Sequence, residues 1–190
     1  MPNLEDLPRV LFVVGSLRSG SVNYQLARAA ACELGGRARV SYLDYADVPF
    51  FNEDVEFPAP EAVRRVRAEI EAVDAVWLFS PEYNYSFPAV IKNLLDWLSR
   101  PLVAGDYDTP LPLTGKPVTV SGAGGRLATA SVRDHMHALL GYLKADIVDG
   151  KGEGFVLPAE VWGGAPYELP ADDRSRLSAQ ADALVERIAR

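Results

Sequence analysis

Short, continuously apolar runs alternate along this chain with longer stretches whose apolar residues recur every three or four positions. Val10-Leu11-Phe12-Val13-Val14 is rich in β-branched side chains and bounded by turn residues, and reads as a strand buried on both faces. The stretch from Tyr24 to Leu34 that follows is dominated by strong helix formers. The same pattern predicts strands at 9–15, 38–43, 74–80 and 117–122, with a fifth between 145 and 157. Helices are expected near 21–35, 60–72, 87–99, 126–142 and 172–189. Such a β-α-β-α order calls for an α/β fold, a parallel sheet covered on both faces. No repeat, low-complexity tract or linker interrupts it, so residues 1–190 are expected to form a single domain. The Pro-rich segment from Val48 to Pro60 reads as a long connection, with Phe50, Phe51 and Phe57 packing over the domain edge or against a partner chain.

In open parallel sheets ligands sit at the carboxyl ends of the strands, so three loops draw attention. After the first strand comes Gly15-Ser16-Leu17-Arg18-Ser19-Gly20-Ser21-Val22-Asn23, leading into a helix whose first N–H groups lack partners. Hydroxyls, an amide and one arginine decorate that loop, which suits a phosphate monoester; a polar turn without a ligand is the alternative on this run alone. It is not a Walker A loop, because Ser21 stands where the lysine belongs. It also breaks the dinucleotide fingerprint and carries no nucleophilic cysteine. The third strand ends in Ser80-Pro81-Glu82-Tyr83-Asn84-Tyr85-Ser86-Phe87-Pro88, with Asn84 suited to a left-handed turn and Ser86 a candidate helix cap. The fourth ends in Ser121-Gly122-Ala123-Gly124-Gly125, bare enough for backbone N–H groups to approach a flat ligand. Together the loops outline a site for a molecule with a phosphate tail and a planar head.

The helix after the aromatic loop has one apolar stripe, Ile91, Leu94, Leu95 and Leu98, for the core. A second face shows Val90, Asn93 and Trp97, and two partners are open for it: a second subunit or a loop of the same chain. A net charge of −7 speaks against nucleic acid or an anionic membrane as partner. The lone Cys32 excludes a disulfide framework and is expected to be packed or half-exposed. Met1 to Arg9 is acidic without an apolar core, and no run is long enough to span a membrane, so a cytoplasmic protein is expected. His135 and His137, two apart on a helix, have poor geometry for a metal, and none is expected.

With these loops placed, the chain resembles the NADPH-dependent FMN reductase family, the flavodoxin-like group that includes small azoreductases and quinone- and chromate-reducing enzymes. The carrying motifs are the Gly15–Asn23 loop, Ser80 to Ser86, Ile91-Lys92-Asn93-Leu94-Leu95-Asp96-Trp97-Leu98-Ser99-Arg100-Pro101 and Gly115-Lys116-Pro117, within residues 8–148. The resemblance implies a flavodoxin-like three-layer sandwich with a five-stranded parallel sheet in the order 2-1-3-4-5. It implies FMN as cofactor, NADPH or NADH as hydride donor, and a small-molecule electron acceptor such as a quinone, an azo compound, a flavin or a metal oxyanion. By it, Ser16, Arg18, Ser21, Val22 and Asn23 hold the FMN phosphate. Pro81, Glu82, Tyr83, Asn84 and Ser86 line the ribityl chain and ring, and Ser121, Gly122 and Gly124 lie near the pyrimidine end. N–H groups of Gly122 to Gly125 would stabilise negative charge developing on the ring. Homodimers or homotetramers through the helix bearing Trp97 are implied as well. Flavodoxin-type electron carriers are the alternative; they share fold and cofactor, but their phosphate loop is typically threonine-rich and lacks this arginine.

Overall fold

In a computed structural model that describes residues 4–190, the apolar runs become the inner strands of one parallel sheet. The first three residues of the Met1–Arg9 stretch lie outside the described residues. The strands are β1 (Arg9–Val14), β2 (Arg39–Tyr42), β3 (Ala75–Phe79), β4 (Pro117–Gly124), β5 (Asp146–Ile147) and β6 (Glu153–Val156). Their order is β2-β1-β3-β4-β5, with β6 also on β4. The expected order holds, but the fifth position is filled by two short strands. Pro117 and Val118 pair with β5, whereas Ser121 to Gly124 pair with β6. Val148 still donates to the Val118 carbonyl at 2.8 Å; the four residues after it swing out of the sheet, and the excursion closes on Gly152 at φ +67°. A Cβ there would lie 1.9 Å from the Val120 carbonyl oxygen, so no other residue fits without moving β4.

Helices cover both faces because both faces of β1 and β3 are apolar. On one side α1 (Val22–Leu34) and α6 (Ala171–Ile188) pack on Phe12, Trp77, Phe79 and Phe155. On the other, α2 (Glu61–Glu71), α3 (Ala89–Leu98) and α4 (Ala130–Tyr142) pack on Leu11, Val13, Val76 and Leu78. A further short helix, α5 (Ala159–Trp162), stands between β6 and α6. Among the described residues no helix is long and apolar enough to cross a membrane. Cys32, expected to be packed or half-exposed, is exposed on α1.

The reading of Trp97 as a subunit contact is overturned. Its side chain is fully buried by its own chain. Phe51 meets the indole edge-on at 4.9 Å, and the indole N–H donates to the Pro49 carbonyl at 2.8 Å. Asn93 fixes the same segment from one turn away: its Oδ1 accepts from Phe51 N–H at 2.7 Å and its Nδ2 donates to Pro49 O at 2.9 Å. The amide and indole at i and i+4 therefore clamp the Pro-rich connection, which is the same-chain occupant. Phe51 packs as expected, while Phe50 is left 80% exposed. Ser86 is not a helix cap either; it closes a hairpin with Tyr83, and α3 starts after Pro88. Trp97→Ala should lower unfolding stability by about 3–5 kcal/mol in urea titrations; a loss below ~1 kcal/mol would put the indole back on a free surface.

Candidate functional site

The loops after β1, β3, β4 and β6 meet over the carboxyl edge of the sheet around a cavity of about 390 Å³, within the usual range for small-molecule sites. Its polar end is the Gly15–Asn23 loop. Gly15 N–H donates to the Phe79 carbonyl at 2.7 Å, which docks the start of the loop on β3. Ser21 caps α1, its hydroxyl accepting from Tyr24 N–H at 3.4 Å. The N–H groups of Ser16 to Gly20, Val22 and Asn23 have no backbone acceptor among the described residues. Arg18 is exposed and pairs with no carboxylate there, whereas Arg37, Arg65, Arg100, Arg174, Arg176 and Arg187 each do.

A second helix N-terminus, that of α4, also borders the site, but it is already answered. The Glu82 carboxylate accepts from Val132 N–H in the first turn of α4 at 3.2 Å. An anion at the helix dipole's positive end is stabilising, so Glu82 occupies the place a ligand anion would take there. Of the two helix ends, only α1's is open to a phosphate.

Of the residues singled out in the sequence, Ser16, Arg18, Ser21, Val22 and Asn23 line the cavity on the loop side. Pro81, Glu82 and Tyr83 line it from the β3 side, and Gly124 from β4. Asn23 lines it with its carboxamide held in place by β4. It is 3% exposed, its Nδ2 donates to Ala123 O at 3.0 Å, and its Oδ1 accepts from Ala123 N–H at 2.9 Å. Asn84 and Ser86 do not reach the cavity: Asn84 and Tyr85, at φ 52° and 63°, form the two-residue turn of the hairpin closed by Tyr83 and Ser86. That turn holds Tyr83 at the cavity edge, 53% exposed.

Ser121 and Gly122 are also away from the cavity, because β4 runs on to Gly124 and places both inside the sheet. Ser121 Oγ donates to Gln180 Oε1 at 2.7 Å and accepts from the Trp77 indole at 3.0 Å. Gly122 is glycine because a Cβ would meet the Ser80 carbonyl at 2.4 Å and the Thr129 hydroxyl at 2.3 Å. With Ala123 N–H held by Asn23, the expected row of free N–H groups shrinks to the tip at Gly125, which has no backbone acceptor.

Sequence reasoning missed one whole wall. Leu157, Val161, Trp162 and Gly164, from the stretch after β6, line the cavity together with Ala123 and Gly125. An apolar Leu-Pro-x-x-Val-Trp run ending in two glycines was a visible signal, but it lies beyond the motifs. Tyr167 at its far end has its hydroxyl buried, and that burial pushes its pKa up. Among the described residues no group of His, Cys, Asp and Glu could hold a metal ion.

Residues 8–152 match the family model described as NADPH-dependent FMN reductase. A NAD(P)H-dependent FMN reductase of Pseudomonas aeruginosa is 38% identical over 142 residues, 74% of this chain and 73% of that protein. A 2-hydroxy-1,4-benzoquinone reductase of a Burkholderia species is 35% identical over 141 residues, with the same shares covered. FerB, a flavoenzyme NAD(P)H:(acceptor) oxidoreductase from Paracoccus denitrificans, superposes with a TM-score of 0.83 at 30% identity, over 96% of this chain and 98% of that one. An archaeal flavodoxin, at 11% identity and a TM-score of 0.61, shares the fold. Since the family model matches more than half of its length, this chain belongs to the NADPH-dependent FMN reductase family of oxidoreductases.

Proposed function

We propose that this protein is an FMN-dependent NAD(P)H oxidoreductase that reduces a small acceptor, a quinone, an azo compound, a flavin or a metal oxyanion. The observation that carries the reading is the open anion site at α1, at one end of a cavity whose other walls, Glu82 apart, are aromatic, apolar or bare backbone. The residues present fit FMN: Arg18, the Ser16 and Ser21 hydroxyls and the unpartnered loop N–H groups face a phosphate, while Pro81, Tyr83, Gly124 and Gly125 flank a flat ring. When bound, FMN supplies two-electron chemistry, as hydride acceptor for NAD(P)H and, once the nicotinamide has left, as donor to the second substrate.

The chain's own residues then bind, orient and exclude water. Arg18 neutralises the phosphate dianion, and a charge-assisted hydrogen bond of this kind contributes about 1.5–3 kcal/mol. The Asn23 pair with Ala123 keeps the anion site at a fixed distance from the β4 floor. Gly125 N–H, with no acceptor of its own, is the donor left to face negative charge at the ring end. Assembly as a homodimer or homotetramer belongs to the same reading. The Trp97 face is filled, so Phe50 and Phe57, exposed on the same Pro-rich connection, are apolar groups available to a second copy.

Arg18→Ala should weaken FMN binding roughly tenfold to a hundredfold, measured by quenching of flavin fluorescence. Because Arg18 has no partner among the described residues, the melting temperature of the flavin-free protein should not move. An unchanged FMN affinity would take Arg18 out of the cradle. Steady-state kinetics with NADPH and a benzoquinone should give parallel double-reciprocal lines; intersecting lines would rule out an exchange of the two substrates over one site.

A further inference from the structure

The wall that no sequence motif announced is built as an arch. It leaves the sheet at Leu157, whose N–H donates to the Gly124 carbonyl at 2.8 Å, and returns at Tyr167, whose N–H donates to the Gln25 side chain at 2.8 Å. Leu157 and Tyr167 are each 8% exposed and belong to the core on the α1/α6 side. Between these feet the backbone bonds are internal to the arch: Val161 to Pro158, Gly163 and Ala165 to Glu160, and Gly164 to Val161. Both ends are thus pinned to the elements that frame the cavity, and Val161 packs on the same core, while Trp162 beside it stands clear.

Trp162 stands on that crest, 67% exposed and lining the cavity. Trp77 and Trp97, the other tryptophans, are fully buried. An indole left in water gives up one of the largest apolar burials available to a side chain, and at a cavity mouth it offers a face for stacking. Tyr83 borders the same cavity from the loop that leads into α3, in the opposite layer. Two exposed aromatic side chains therefore reach one mouth from opposite layers of the sandwich. Between them lies the backbone floor of Ala123 to Gly125. Aromatic sides over a bare floor favour a flat ring and give a bulky or tetrahedral molecule nothing to stack on.

We infer that Trp162 is a specificity-determining residue: its indole stacks on a planar aromatic ring of a substrate entering the cavity. The inference rests on the reductase reading for its substrates, and two of them carry such rings, an aromatic acceptor and the dinucleotide. In either case selection comes from the indole's face, so phenylalanine should substitute for it and alanine should not.

Trp162→Ala and Trp162→Phe, loaded with FMN, are compared with the wild type by calorimetric titration with anthraquinone-2-sulfonate and, separately, with NADP+. Neither ligand turns over when added alone. Trp162→Ala should weaken at least one of them by about three- to tenfold, Trp162→Phe should recover most of the loss, and the affinity for FMN should stay at the wild-type value. A loss confined to the quinone gives the platform to the acceptor, and one confined to NADP+ gives it to the dinucleotide. Absent or unchanged binding of both overturns the inference. So does an FMN affinity that falls by the same factor, since Trp162 would then belong to the cofactor's own wall. Wild-type protein that binds FMN and a ring ligand but never oxidises NAD(P)H would sink the reductase reading alone.

Discussion

The site depends on one carboxamide. Asn23, in the first turn of α1, exchanges two hydrogen bonds with the backbone of Ala123 in β4, 100 positions away in sequence. Only a side chain that donates and accepts at once can do this, and burial makes each bond costly to lose. In the sheet β3 lies between β1, which leads into α1, and β4, so this pair crosses the end of β3 and ties two loops that share no strand ladder. The anion-accepting loop and the floor for a ring are thereby held as one rigid frame. The same pair fixes the Asn23 carboxamide in the frame and leaves its backbone N–H facing the loop's anion site.

A second carboxamide does similar work lower in the sheet. Gln180 on α6 donates to the Thr119 hydroxyl at 2.6 Å and the Val120 carbonyl at 2.9 Å, and accepts from Ser121. With the Trp77 indole bonded to Ser121, the buried polar groups of β4 are answered one by one. The network seats α6 on the sheet in one register. Electrostatics in the site are just as local. The chain as a whole is acidic, at −7, and would repel a phosphate at long range. Within a Debye length the unpaired Arg18 and the open end of α1 dominate, because Glu82 has already answered the competing end of α4.

Much of this was legible in the sequence, because the fold is written in local patterns. Continuous apolar runs gave the inner strands and helical spacing gave the packed faces of the helices. The polar loop after β1 was readable because its physics is local too: a strand end, a helix start and an arginine within nine residues. What could not be read was long-range. Nothing around Ser121 or Gly122 shows that β4 runs on to Gly124, since that depends on β6 pairing alongside. Trp97 looked like a contact surface because the Pro-rich connection covering it lies some forty residues earlier and carries no periodicity. Ser86 was read as a cap because its residue type allows one, whereas its backbone is committed to a hairpin with Tyr83. The arch escaped because no helical or strand period marks it.

The split in the outermost strand has a bearing on how such proteins diverge. β5 secures the lower half of β4 and β6 the upper half, so the excursion between them acts as an expansion joint. Insertions or deletions there leave the ladder on either side intact. The family match ends at residue 152, on the glycine that closes this joint. Upstream lies the machinery for a cofactor, in which drift is penalised at many coupled bonds. Downstream lies a wall attached by two feet, whose exposed side chains can change without disturbing the ladder or the Asn23 frame.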